Sequence, residues 1–494
     1  MSYEDLSYFG EEEFKQHLAQ YEEMLHSGRS VYLEADELTD IAEYYMMKGE
    51  TEKATACIEY AMRLHPGSVD PLIFQARQHM FADDIEGAKA ICNQITDQTD
   101  REVIFFNVEM YLHENDLEGA QQYIESVIEN IDDDPEQFAY DIAYVFLDYN
   151  YFQIAEEWCE KALSIHPEDD KNLKLKAEIL LGRNEPEKAI QTLNHALDIN
   201  PYNIFAWHAM TEAYIQLNDY SKAIETVDFA LAINEKDAHA MQLKANCFFY
   251  LNNFKEAHRY YTAYLKEIPT DEVGFFYDGL CLSNLQRYEE AIVQFKEGCK
   301  HAQPRSMEQQ QLYSHLSLVY SKLGQVDEAV RYIEQANEIR PTEYSLDVFK
   351  GNIYLENRQK EKAFEYFKRA LTEADAGQLI ENHFFIGISL AENEMYNEAE
   401  AHFLFIKEHQ ELDLNGVGQK IYSYLAFCAL MRYQYEDFLK YLKTACDKDD
   451  PYLEVTIGRF IPSEVELKDF YDYVLTHPEN FIRINPNDNH QNEA

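Results

Sequence analysis

No two of the eight cysteines stand as a Cys-x-x-Cys pair, so the sequence predicts neither a zinc ribbon nor a disulfide framework, but free thiols in a reducing compartment. No apolar run approaches the ~18 residues of a membrane span. The acidic start Met1-Ser-Tyr-Glu-Asp-Leu6 lacks the basic and apolar regions of a secretory leader. A cytoplasmic protein without a membrane anchor is expected. Positive charge is scarce: 42 Lys and Arg against 91 Asp and Glu give a net charge of −49. A nucleic-acid backbone or an anionic membrane needs a basic face, so both are disfavoured as partners, and basic protein segments suit the chain better. Also missing are HExxH, GxxxxGK[ST] and GxSxG, the short signatures of metal-assisted hydrolysis, phosphate cradling and acyl transfer. Histidines such as His301, His315 and His383 are scattered without metal-ligand spacing. No catalytic residue, cofactor or metal is predicted.

What the sequence does have is a repeat. NDYSKAIETVDFALAIN (218–234), QRYEEAIVQFKEGCKHA (286–302) and GQVDEAVRYIEQANEIR (324–340) are variants of one pattern. Anchored on one alanine, the pattern recurs at Ala54, Ala88, Ala120, Ala155, Ala189, Ala223, Ala257, Ala291, Ala329, Ala363 and Ala399, with Phe438 in the twelfth place. Most intervals are 34 residues, and the longest are 38 and 39. Twelve residues before each anchor stands a compact residue: Ala42, Ala76, Val108, Ala143, Ala177, Thr211, Ala245, Gly279, Ser317, Gly351, Gly387 or Ala426. Two antiparallel helices nest closely only where side chains are small. Larger apolar residues three after the compact position (Tyr214, Tyr320) and four after the anchor (Ile58, Phe295, Phe367) complete an i, i+3, i+4, i+7 face on each helix. Pro66, Pro167, Pro201, Pro269 and Pro341 lie twelve residues after an anchor, where the second helix has to stop. With many of the 37 tyrosines placed inside such hairpins, stacking on single-stranded nucleic acid is rejected.

This pattern resembles the tetratricopeptide repeat, a 34-residue unit with a small residue at its eighth position, an aromatic at its eleventh, alanine at its twentieth and proline at its thirty-second. Trp207, Tyr214, Ala223 and Ala230 carry the signature in the sixth unit, and Ala143, Phe146, Ala155, Ala162 and Pro167 in the fourth. The resemblance implies an all-α fold, an α-solenoid in which about twelve helix-turn-helix repeats over 35–451 wind into a right-handed superhelix. Residues 1–34 are expected to hold a capping helix, with Phe14, Leu18, Tyr21 and Leu25 on one face, and 452–484 a closing segment with a helix over Glu464–Thr476. The Asn-, Asp- and Pro-rich tail 485–494 is expected to be disordered. The long intervals, near 302–309 and 409–418, are read either as hinges or as slightly longer helices and loops.

By the same resemblance the first helix of each hairpin lines the concave side, and its ninth position faces a groove. Those positions hold Glu43, Arg77, Glu109, Tyr144, Glu178, Glu212 and Asn246, then Leu280, Leu318, Asn352, Ile388 and Phe427, with Phe276 and Phe384 at fifth positions. The candidate partner-binding set is Glu43, Glu109, Glu178, Glu212, Asn246, Phe276, Leu280, Phe384, Ile388 and Phe427. Either its acidic half steers a basic segment of a partner protein or peptide toward apolar anchors, or the acids only solubilise the solenoid. The clamp for a C-terminal carboxylate that some repeats of this type carry is broken, because Lys174 is followed by Glu178, Asn246 is paired with Gln242, and Asn352 with Val348. The leading function is a non-catalytic protein-interaction scaffold. The alternatives are a self-associating solenoid, hence a homodimer, and a small-molecule-responsive regulator.

Overall fold

The structure is a computed structural model that describes residues 9, 12–27, 30–128, 134–342, 344–409, 412–413, 415–462 and 465–482. The described residues form helices and turns with no strand, so the chain is an all-α solenoid of hairpins. It divides into two compact units at Thr270 and Asp271. The first unit opens with the helix Glu12–Ser27 and continues with seven hairpins. They pair Ala35–Met47 with Thr51–Leu64, Val69–Phe81 with Ile85–Cys92, Arg101–His113 with Leu117–Val127, and Pro135–Asp148 with Phe152–Ile165. Asp170–Gly182 then pairs with Pro186–Ile199, Ile204–Gln216 with Tyr220–Ile233, and Ala238–Tyr250 with Phe254–Glu267. In the second unit five hairpins pair Glu272–Asn284 with Tyr288–His301, Met307–Lys322 with Val326–Ile339, Leu346–Glu356 with Lys360–Thr372, Ala376–Glu392 with Tyr396–Glu408, and Tyr422–Met431 with Tyr435–Asp447. Within the first unit the first helix of each hairpin packs on that of the next, which is solenoid stacking.

The compact residues are where the helices meet. All twelve compact positions and all twelve anchors are buried. The size of the compact residue is matched to the residue four after the anchor. A β-carbon added to Gly279, Gly351 or Gly387 would run into the ring of Phe295, Phe367 or Phe403 of the same hairpin, at 2.7 Å for Gly387. Hairpins with alanine in that place have a smaller or differently set partner, such as Ile58 or Leu193.

Each hairpin turns on one residue in the left-handed region, five residues before the anchor: Gly49, Asp83, Asn115, Asn150, Asn184, Asn218, Asn252, Gln286, Gly324, Arg358, Glu394 and Tyr433. The residue after it donates its N–H to the carbonyl five residues back, as Asp219 does to Tyr214 at 2.9 Å, which closes the helix with a Schellman turn. Asparagine tolerates this backbone, whereas a longer side chain pays about 1–2 kcal/mol for it. Tyr433, at φ 61°, has its side chain half exposed. Tyr433→Gly is therefore expected to raise stability, by about 0.5–1 kcal/mol after the extra entropy of glycine is subtracted. A urea titration that finds the variant less stable would contradict this account of the turn.

The first long interval is taken up by a lengthened first helix, Met307–Lys322, capped by Ser306, which accepts the Gln309 N–H at 3.1 Å. The second contains a short 3-10 turn, Val417–Gln419, whose Val417 and Gly418 amides donate to Asp413 at 2.8 and 2.7 Å. The leading helix buries Phe14, Tyr21 and Met24, while Leu25 is 55% exposed. The expected face is thus corrected by one residue: the buried side runs from Phe14 through Tyr21 to Met24, rotated away from Leu25, so the core lies to one side of the stripe that spacing alone picks out. Among the described residues the closing segment holds three short α-helices and two 3-10 turns. Leu453–Ile457 packs on Tyr422–Met431, Phe470–Thr476 packs on Tyr435–Asp447, and Phe481 of Glu479–Ile482 meets Phe438 and Phe470 at 6.1 and 5.7 Å. Within the span of the expected helix Leu467 is 36% exposed, whereas Phe470 and Val474 are fully buried. Glu464 and the tail 485–494 lie outside the described residues.

Candidate functional site

In the first unit the ninth-position side chains engage charged or polar partners within the chain. Arg77 sits between carboxylates: its Nε donates to Glu109 Oε2 at 3.1 Å, and its Nη2 to Glu109 Oε1 at 2.9 Å and Glu102 Oε2 at 3.4 Å. Burial works against the guanidinium charge, but Glu109, Glu102 and Glu43 outweigh it and hold the Arg77 pKa above its ordinary value. Lys174, itself buried, pairs with Glu178 at 2.9 Å. Glu212 faces His239 Nε2 at 3.4 Å, and the neighbouring His208 Nε2 contacts Asp237 Oδ2 at 2.7 Å. Asn246 accepts a hydrogen bond from the Tyr261 hydroxyl. Of the expected acidic residues, Glu43, Glu109, Glu178 and Glu212 are each half-buried and lie within the field or reach of a cation or imidazole of the chain itself. Those partners stand on the same or the next first helix, which is why spacing along the chain did not reveal them. This corrects the picture of an open acidic groove: the set is a ladder of in-chain pairs.

The second unit differs. Leu318 is 47% exposed, and Leu280, Ile388 and Phe427 are partly buried against the core. Phe276 packs edge-on against His315 at 4.9 Å and tilted against Phe295 at 6.2 Å. Phe384 is corrected: at 2% exposure it is a core residue wedged among Phe403, Tyr424 and Tyr452, and offers no surface to a partner. Phe427 is already occupied. Arg459, from the stretch after Leu453–Ile457, lies over its ring at 5.1 Å and over Phe460 at 4.8 Å. No repeat position announces Arg459, because it lies beyond the last full unit.

The eleventh hairpin carries a feature that spacing also missed. His383 and His402 approach with Nδ1 atoms 3.0 Å apart, and His383 stacks on Phe405 at 3.9 Å, which in turn stacks on His409 at 4.0 Å. Burial pushes His383 down to about 3, with help from the charges His402 and His409 would carry, and burial alone pushes His402 down to about 4. The fold therefore needs both rings neutral, whereas the unfolded chain takes up protons near pH 6.5. Stability contributed by this pair is present above about pH 6.5 and is lost as the pH falls toward 4. A His383→Phe, His402→Gln variant is expected to show a shallower loss of urea midpoint between pH 7 and 5 than the parent. Identical slopes would exclude the pair as a source of acid sensitivity.

Other chemistry is quiet. Burial pushes the thiols of Cys57, Cys159, Cys247, Cys281 and Cys428 up to about 12, far from thiolate formation at neutral pH. Among the described residues no three His, Cys, Asp or Glu side chains are grouped to hold a metal ion, and no helix is long and apolar enough to cross a membrane.

Comparison with known proteins agrees with the hairpin register. Residues 148–230 match the family described as anaphase-promoting complex, cyclosome, subunit 3. Residues 209–272 match one tetratricopeptide-repeat family model, and 310–343 and 348–375 another. The segment 310–343 is one 34-residue unit that begins seven residues before the compact Ser317. No curated protein matches the chain. Among solved structures, YrrB, a tetratricopeptide-repeat protein described as having an unusual peptide-binding site, is 21% identical over 37% of this chain and 92% of its own, with a TM-score of 0.33. A tetratricopeptide-repeat protein from Parabacteroides merdae is 17% identical over 54% of this chain and 100% of its own, with a TM-score of 0.36. A monomeric mutant of IFIT1 with Gppp-AAAA is 17% identical over 94% of each chain, with a TM-score of 0.36. With compact and anchor residues buried in every hairpin, and family matches falling on 148–272, 310–343 and 348–375, the chain is built of tetratricopeptide-type repeats.

Proposed function

We propose that this protein is a non-catalytic scaffold of a reducing, cytoplasmic compartment that holds a partner polypeptide, and that the partner's apolar and basic side chains meet the ninth-position line of the second unit. The observation that carries the reading is Leu318, which stands 47% exposed on this line. Phe427 is covered by the chain's own Arg459, so a partner reaches that ring only by displacing the guanidinium. Leu280, Leu318 and Ile388 supply the apolar contacts of the kind that dominate binding energy, and Leu318 has nearly half its surface open. Acids of the first unit act at longer range. Because they are paired within the chain, they contribute a field that raises the encounter rate with a basic partner rather than direct contacts.

The test is capture from native cytosol with the parent and with a Leu318→Asp, Ile388→Asp variant, both immobilised at equal density. Loss of a specific co-purifying protein with the variant, at unchanged helicity, is the expected result. Retention of every captured protein would discard the groove as the binding surface. Steering is read from the salt dependence of the association rate, since charge reversal at Glu109, Glu178 or Glu212 would also break in-chain pairs.

A further inference from the structure

The second helices of the fourth, fifth and sixth hairpins end in Ile165, Ile199 and Ile233, each ten residues after its anchor and 34 residues after the one before. All three are open to solvent, at 44%, 39% and 39%. The equivalent positions on either side are polar: Gln98 and Asn130 before the run, Glu267 after it. Leu64 and Ile339 are apolar at this position in the first and ninth hairpins, but both are less exposed than the run of three. At the sixth hairpin the apolar surface widens. Phe229, one turn before Ile233, is 53% exposed and stacks on Trp207 at 4.5 Å, whose Nε1–H donates to the Pro201 carbonyl at 3.0 Å.

Exposed acids outnumber bases around this strip, where Lys161 and Lys236 are also exposed. Glu168, Asp198, Glu225 and Glu235 are exposed beside it, and none forms an ion pair with a described residue. The chain's two tryptophans make the contrast plain. Trp158 has Lys161 over its ring at 3.3 Å, whereas among the described residues no cation covers Trp207 or Phe229. The spacing adds a further constraint. Packed helices lie about 8–10 Å apart, so one repeat advances by about 10 Å, and seven residues of an α-helix rise about 10.5 Å.

We propose that this edge of the fourth to sixth hairpins is a second docking surface, distinct from the ninth-position line, for an amphipathic helix of a partner protein that carries an apolar residue at every seventh position and lysine or arginine beside it. Successive apolar residues of that helix meet Ile165, Ile199 and Ile233, and a basic side chain near its end covers the Trp207–Phe229 pair. The acids on the rim select the basic helix against acidic ones.

The probe is a fluorescein-labelled designed helix of about 21 residues, three heptads, with Leu at every seventh position and Lys at the flanking ones. Fluorescence anisotropy is expected to show saturable binding to the parent. An Ile165→Ser, Ile199→Ser, Ile233→Ser variant of unchanged helicity and Tm is expected to bind at least about tenfold more weakly. If the triple variant loses helicity, Ile199→Ser and Phe229→Ser alone are each expected to weaken binding by about threefold. A loss of less than about twofold in a folded variant overturns the proposal, as does equal binding of a probe with its Leu residues changed to Ser, which would mean charge alone. Loss of binding in the Leu318→Asp, Ile388→Asp variant instead would place the probe in the groove and overturn it too, leaving the scaffold reading intact.

Discussion

A Gly351→Leu variant is expected to lose about 3 kcal/mol or more, with the damage confined to the tenth hairpin and its neighbours. The leucine β-carbon alone enters the space of the Phe367 ring, which is 2% exposed and has nowhere to rotate. Against this stands helix propensity, since Gly351 lies inside Leu346–Glu356 and replacing a helical glycine gains about 1 kcal/mol. Overpacking wins because the obstacle is a buried ring rather than the free end of a flexible side chain. Adding Phe367→Ala makes room, so the double variant is expected to be less destabilised than the sum of the single changes by about 2 kcal/mol. Hydrogen exchange should report lost protection over Leu346–Thr372 and the adjoining helices, and little elsewhere. Strict additivity of the two substitutions would mean that the compact position does not set the distance between the paired helices.

Arg77→Leu is the second large effect. It leaves Glu109, with 16% of its side chain exposed, and Glu102 without the guanidinium that both face, at an expected cost of about 2–3 kcal/mol. The side chain of Arg77 is 29% exposed, so the figure stays below that of a fully buried pair. A Glu109→Leu, Arg77→Leu double variant is expected to recover most of the loss, because the more buried carboxylate is gone and Glu102, 43% exposed, is left within reach of solvent. Equal destabilisation of the single and double variants would show that Arg77 acts by packing its aliphatic stem rather than by neutralising its neighbours.

Much of the fold was legible because the repeat states its own physics. A compact residue, an anchor twelve later and proline twelve after that are local requirements of a nested hairpin, and the spacing carries them without any long-range information. The turn residue five before the anchor was equally present in the sequence, as asparagine, aspartate or glycine in eight of twelve hairpins, but Gln286, Arg358, Glu394 and Tyr433 mask it, since a left-handed backbone is imposed on them by the two helices they join. The candidate groove was less legible. Periodicity brought Glu43, Arg77, Glu109, Glu178 and Glu212 to one line, but did not reveal partners such as Lys174 and His239. Phe384 has the same periodicity as an exposed anchor, yet Tyr424 and Tyr452 from later in the chain close over it.

Local pattern alone thus determined that the chain is a stack of helical hairpins, where each begins and ends, and which residues are small because helices touch there. These follow from hydrogen-bond geometry and side-chain volume within a single 34-residue unit. Only the tertiary structure decided which charges pair with one another, that Phe427 lies under Arg459, and that Ile165, Ile199 and Ile233 are open to solvent. The physical reason is that charge pairing and exposure depend on what the neighbouring turn of the solenoid contributes, and side chains one repeat apart meet across roughly 10 Å of space whatever the residues between them.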